Sequence, residues 1–324
     1  MMQRCGVNVI MFQVRGEADA LYESRYEPWS RFLTGQQGKA PEQRWDPLAW
    51  MVQQCHQRGM EIHAWINPFR AKTKGTTLLA NTHYAVRHPE RCFSYDGLLI
   101  MDPALQENRT YICRVASDIV RRYDVDGLHI DDYFYPTRDG SIDRAEYEKY
   151  VSDGGEKGLS EWRRDSVSAF AAGLCALVKS YGSNKIFSIS PAGNIDGNEN
   201  ALFADVELWL STPGYADYII PQIYFGFENQ ILPFKSTAER WAEISDGRVG
   251  IIWGLAAYKC GTRDKNAKTG SYEWTENTDI IARQLSFVRS LNAYCGFALF
   301  SYSYMFGKIN ENAKKEMKNL ENML

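Results

Sequence analysis

Apolar residues recur along the chain in two rhythms. Seven short runs alternate or are continuously apolar. They predict β-strands over Val7–Arg15, Met60–Asn67, Val125–Asp132, Lys185–Ser190, Tyr218–Tyr224, Arg248–Trp253 and Gly296–Tyr302. Between them, apolar positions repeat at helical spacing. Pro47–Arg58 carries Leu48, Met51, Val52 and Cys55 on one face, and Arg109–Tyr123 carries Ile112, Val115, Ala116, Ile119 and Val120. Trp162–Tyr181 carries Val167, Phe170, Leu174 and Val178, and Thr278–Leu291 carries Ile281, Leu285 and Val288. Strand followed by helix, many times over, predicts an α/β fold with a parallel sheet closed into a (β/α)8 TIM barrel. No linker breaks the pattern, so residues 1–324 read as a single domain. Such a barrel has eight strands. Only six residues precede the first of the seven found here, and a strand with its crossover helix takes roughly 30. The expectation is therefore a barrel lacking its first β/α unit in this sequence.

Alternation along each strand then separates the face toward the helices from the face toward the barrel axis. Leu128 and Ile130 face the helices, so His129 and Asp131 face in. Ile62, Ala64 and Ile66 leave His63, Trp65 and Asn67 inside. Ile10, Phe12 and Val14 leave Gln13 and Arg15; Phe187 and Ile189 leave Ser188 and Ser190; Ile219, Pro221 and Ile223 leave Gln222 and Tyr224. Polar residues thus collect at the C-terminal strand ends: Arg15, Asn67, Asp131, Ser190, Gln222 and Tyr224. Burying polar groups is unfavourable unless they are paired, and barrel active sites form at this end, under the long loops Phe69–Pro103 and Tyr133–Glu161.

Paired carboxyl groups across a cleft are the usual apparatus of glycoside hydrolysis. Asp131 is the first member. Asp132 joins it only if the chain turns after Asp131, since neighbouring strand residues point to opposite faces. Glu17 and Asp19, just beyond Arg15, are further candidates, with Asp102, Asp139, Asp196 and Glu228 weaker ones. His129 lies a layer below Asp131, as a core histidine or as a modulator of its charge. Arg70 has the fork to hold a substrate carboxylate. Trp65, Tyr133, Tyr224, and Trp253 and Tyr302 at the ends of the last two strands, supply aromatic faces for sugar rings.

Composition narrows the class. Aromatic residues make up 13% of the chain, charged residues 24%, and the net charge is -3; nothing there favours nucleic acid. Seven cysteines, an odd number without a Cys-x-x-Cys pair, read as thiols. No apolar stretch is long enough to span a membrane. Met1-Met2-Gln3-Arg4-Cys5 runs almost directly into a strand, without the pattern of a signal peptide. No cofactor or metal is expected, and a monomer is.

Val9–Arg15, Asp19-Ala20-Leu21-Tyr22 and Glu27-Pro28-Trp29-Ser30 resemble the opening of a bacterial glycosyl-hydrolase-like family related to the α-amylase barrels. The family includes an enterobacterial hydrolase of denuded peptidoglycan glycans. His63-Ala64-Trp65-Ile66-Asn67-Pro68-Phe69-Arg70, Asp126 through Pro136, Ile189-Ser190-Pro191 and Pro221-Gln222-Ile223-Tyr224 resemble its later blocks. The resemblance implies a barrel glycosidase, exported to the periplasm or lipid-anchored in the cell envelope, acting on a bacterial cell-wall or related polysaccharide. It also implies an initial strand bearing a Trp, which this sequence lacks. Asp126–Asp131 is similar to the nucleophile strand of α-amylases and puts Asp131 in that role. Where that family carries its general acid, this sequence reads Ser190-Pro191-Ala192-Gly193, so the acid is unassigned. Chitinase-like barrels need a Glu where Tyr133 stands. Family members often carry Pro at the place of Gly16, and Glu17 is not fixed, which favours Asp19 of the two. Two other readings remain. One is a metallohydrolase built on His63, His129 and Asp131. The other is a glycan-binding barrel without catalysis.

Overall fold

Each of the seven predicted runs contributes a strand in a computed structural model that describes residues 6–307 and 309–324, apart from the Arg44 side chain. Met1–Cys5, read above as lacking a leader pattern and including one thiol, fall outside the described residues. The strands are β1 (Val9–Arg15), β2 (Glu61–Ile66), β3 (Gly127–Ile130), β4 (Ile186–Ile189), β5 (Tyr218–Ile219), β6 (Gly250–Leu255) and β7 (Tyr294–Leu299). All pair in parallel and in chain order, β1-β2-β3-β4-β5-β6-β7.

The helix face of the sheet is the core. Ile62, Ala64, Leu128, Ile130, Phe187, Ile189 and Ile219 are all fully buried, and each large side chain so enclosed contributes about 1.5–3 kcal/mol. Against them pack α1 (Pro47–His56), α2 (Gln106–Arg122), α3 (Leu159–Ser180), α4 (Phe234–Glu243), α5 (Ile280–Arg289) and α6 (Glu311–Glu321). The start of α1 shows local and global preferences agreeing: the Asp46 side chain accepts from the Ala49 amide and Pro47 opens the helix. Gly127 opens β3 because a side chain there would meet the Ile186 carbonyl at 2.6 Å and the His63 ring at 2.9 Å.

The sheet is strongly curled. The Trp65 ring on β2 and the Phe300 ring just beyond β7 have centroids 6.2 Å apart. In a flat sheet five strand spacings would separate them by about 24 Å. Among the described residues β1 and β7 are edges and do not pair with each other, so the seven strands expected in this sequence form an open, curled sheet. The half-buried pattern of β1 and β7, beside fully buried β3, follows from that.

Two segments expected to be loops contain order. Residues 69–103 hold three short antiparallel strands, Arg70–Lys72, Leu98–Met101 and Cys92–Tyr95, and residues 133–161 hold the helix Arg144–Ser152. These segments follow the C-terminal ends of β2 and β3. Tyr302, expected to end a strand, opens the short helix Tyr302–Met305. Among the described residues the cysteines are unpaired, and no helix is long and apolar enough to cross a membrane.

Candidate active site

β3 ends at Ile130, and the chain bends at Asp132, with the Phe134 amide donating to the Asp132 carbonyl at 2.9 Å. The bend suspends alternation. Asp131 and Asp132 therefore stay at the same strand end, close enough for the charge of Asp132 to act on Asp131.

Asp131 is only 3% exposed. Its Oδ2 accepts a hydrogen bond from Asn67 Nδ2, while its Oδ1 has no partner. The Trp65 indole lies against the carboxyl and favours its ionised form, yet Trp65 Nε1 makes no hydrogen bond of ordinary geometry. Burial first, and then the neighbouring Asp132, push the Asp131 carboxyl well above the usual carboxylate range; Arg70 and Trp65 oppose that shift. Asp132 is half-buried. Burial raises its pKa too, against Gln222 and Arg70. Both carboxyls are thus raised, and each keeps its proton to a higher pH than a free carboxylate would.

The neighbours come from several strand ends. Asn67 follows β2, and its Oδ1 accepts from Gln13 on β1 and from Arg70 Nη2 at 2.8 Å. Arg70 is fixed by the Gly16 carbonyl at 2.8 Å and lies 4.4 Å above the Tyr133 ring. Gln222, past β5, donates to the Ser190 carbonyl at 2.9 Å and stabilises ionised Asp132. Tyr224 stacks on Phe300 with centroids 5.9 Å apart, and burial with the nearby acidic groups raises its pKa. The structure thus gathers Trp65, Asn67, Arg70, Asp131, Asp132, Tyr133, Gln222 and Tyr224.

Other candidates lie elsewhere. A register shift between Gln13 and Arg15 breaks the alternation of β1. Gln13 reaches Asn67 instead, while Arg15 is fully buried. All five Arg15 donors are engaged, by Glu27, the Asn67 and Pro68 carbonyls and Met101 Sδ. Glu17 is held by Arg31, Thr73 and Thr76 (2.6 Å), and these bonds lower its pKa against burial. Asp19 accepts from Gln37 Nε2 at 3.1 Å and from the Glu17 amide at 3.2 Å. Neither carboxylate exchanges a hydrogen bond with Asp131 or Asp132. His129 bonds Ser188 at 2.8 Å beneath the Trp65 ring, and burial lowers its pKa to about 3, so it is neutral. Trp253 is fully enclosed, and Tyr302 is 61% exposed and stacks on Phe306. Of the weaker candidates, Asp102 is buried and pushed up to about 7 by that burial, and Asp196 pairs with Arg240. His63 faces Tyr218 at 3.3 Å. Among the described residues no group of three or more His, Cys, Asp or Glu is placed to hold a metal.

Sequence reasoning missed Phe300 and Tyr258, which close an aromatic wall with Tyr224 and Trp65. Tyr258 sits in a single helical turn, Ala257–Lys259, and Phe300 at the bend that ends β7, so alternation does not give the direction of either ring.

The chain is similar to known proteins over most of its length. The model of the family described as Glycosyl hydrolase-like 10 matches residues 1–272. The glycosyl hydrolase YngK of Bacillus subtilis (strain 168) is 33% identical over 321 residues, covering 93% of this chain and 61% of its own length. The glycosyl hydrolase DigH of Escherichia coli (strain K12) is 30% identical over 333 residues, covering 94% of this chain and 74% of its own. This chain therefore spans about three-fifths and three-quarters of those relatives. Among solved structures, the glycoside hydrolase domain of PgaB (BpsB) from Bordetella bronchiseptica aligns with TM-score 0.59 and 12% identity, over 92% of this chain and 85% of that one. An α-L-fucosidase isoenzyme 2 from Paenibacillus thiaminolyticus aligns with TM-score 0.61 and 11% identity, over 99% and 44%. At these identities the likeness is one of fold.

Proposed function

The chain belongs to the Glycosyl hydrolase-like 10 family, and on that premise we propose that it hydrolyses glycosidic bonds in a bacterial cell-wall or related polysaccharide, with Asp131 as nucleophile or base. The observation that carries the reading is the Asp131–Asp132 pair, one carboxyl enclosed with an unpartnered oxygen and the other nearer solvent. The pair holds one proton. Burial favours that proton on Asp131 in the free protein. As positive charge develops at the anomeric carbon, the ionised form of Asp131 gains stability, helped by Asn67, Trp65 and Arg70, and the proton resides on Asp132. Asp132 then serves as the general acid that the sequence left unassigned. It protonates the departing glycosidic oxygen while Asp131 attacks the anomeric carbon or activates water toward it. Water finally supplies the hydroxyl of the new reducing end and the proton that restores the pair.

The same reading takes the curled sheet as part of a (β/α)8 barrel forming one domain, and the protein as an exported monomer. The test is release of reducing ends from peptide-stripped glycan strands and a panel of other polysaccharides. Asp131→Asn should lose on the order of 10³-fold or more of the rate. Unchanged activity on that panel would remove Asp131 from the chemistry.

A further inference from the structure

Aromatic side chains continue the candidate site outward in one direction. From Trp65, beside Asp131, the Phe300 ring is 6.2 Å away. Phe300 stacks on Tyr224 at 5.9 Å and meets Tyr258 edge-on at 6.0 Å; Tyr258 meets Tyr304 at 6.1 Å. The run crosses the loops that follow β6 and β7. Trp65, Tyr224 and Tyr258 are half-buried, while Phe300 is 39% exposed and Tyr304 49%. Exposed aromatic surface is unfavourable in water, and a contiguous stretch of it marks a binding surface. Its base is held rigidly. The Tyr258 amide donates to the Phe300 carbonyl at 3.0 Å, and Lys259 Nζ is fixed by the Tyr224 carbonyl and Asp264, both at 2.6 Å.

We propose that Phe300, Tyr258 and Tyr304 are successive sugar-binding platforms that carry a glycan chain away from Asp131, making the protein selective for long chains over short ones. The inference rests on the glycosidase reading of the Asp131 site and adds to it a direction and a set of residues. The ring spacing is close to the length of one pyranose, whose C–H face is apolar and packs on an aromatic face, while its rim hydroxyls suit a tyrosine edge. A ligand of one or two sugars would be covered by Trp65, Tyr224 and Phe300 alone. Tyr304 is useful only to something longer.

The experiment is affinity electrophoresis of the whole chain through gels holding glycol chitin, peptide-stripped glycan strands or a soluble cellulose derivative, with a disaccharide titrated separately. Tyr304 is open enough to replace without loss of fold. Tyr304→Ala should weaken polymer binding about fivefold, with a similar further factor from Tyr258→Ala, and Tyr304→Trp should restore it. Disaccharide affinity should not move in Tyr304→Ala. Equal retardation of wild type and Tyr304→Ala in every gel overturns the proposal, as does the absence of any retardation of the wild type. Retardation that depends on Tyr304 in a protein that cleaves none of these glycans supports the platforms and refutes the catalytic reading, so the two fail separately.

Discussion

Glu17 and Asp131 are both buried carboxylates at the C-terminal end of the sheet, and their surroundings have opposite effects. Glu17 receives bonds from Arg31, Thr73 and Thr76, which together outweigh burial and lower its pKa. It ties the chain after β1 to the segment after β2. Asp131 receives one bond, keeps one oxygen without a partner and is pushed upward by burial and by Asp132. Full satisfaction makes a brace. A polar group buried and left partly unsatisfied is under strain that a substrate can relieve, and perturbed pairs of this kind collect at catalytic sites. Arg15 belongs with Glu17 in this respect, since every donor it has is taken.

The largest separation between the two regions is expected in leaving-group chemistry. Asp132→Asn should lower hydrolysis of natural glycans by about 10²–10⁴-fold, with much of the rate retained on aryl glycosides whose leaving group needs no proton. Equal losses on both substrates would take the acid role from Asp132. On the other side of the comparison, Glu27→Ala strands the enclosed Arg15 guanidinium and should destabilise the fold by about 3–5 kcal/mol. Denaturant titration measures this, and a loss within about 0.5 kcal/mol, the level of an ordinary surface change, would show that the pair is no brace.

Asn67 joins the two regions, because its side chain holds Asp131 and its carbonyl accepts from Arg15. Asn67→Ala should reduce kcat/KM about ten- to hundredfold through the lost bond to Asp131. The carbonyl remains, so stability should change much less than in Glu27→Ala. The smallest effect is in the pH dependence of stability. Glu17 has a depressed folded pKa, so its contribution is present above the unfolded value and lost as pH falls through the folded one. Asp131 has a raised folded pKa, so its contribution is complete below the unfolded value and lost as pH rises through the folded one. Relative to wild type, Asp131→Asn should therefore gain in melting temperature as pH rises, by on the order of a few degrees, while the deficit of Glu17→Gln should shrink toward acid pH. Thermal melts across pH that show constant offsets for both would contradict the assigned shifts.

Much of this was legible in the residues. The seven strands were, because each buries one face and a strand's period is short enough to read. The inward placement of Asp131 was, because alternation along an apolar run sets it on the face away from the helices. Arg15 was not: a register shift at the end of β1 changes direction without leaving any mark in composition. Asp132 depended on a bend that alternation does not foresee. The strands within residues 69–103 are three or four residues long, too short to show a period, and α4 lies in a stretch where no helical pattern stood out. Phe300 and Tyr258 matter through the curl of the sheet, which brings loops from distant strands together and has no local signature.

The most direct measurement sets the two carboxylates side by side: reducing-end release from peptide-stripped glycan strands by wild type, Asp131→Asn and Glu17→Gln, each normalised to folded protein. Loss of turnover in Asp131→Asn with near wild-type turnover in Glu17→Gln is the predicted result. Equal turnover in wild type and Asp131→Asn, or a loss in Glu17→Gln as deep as in Asp131→Asn, would contradict the division between brace and site.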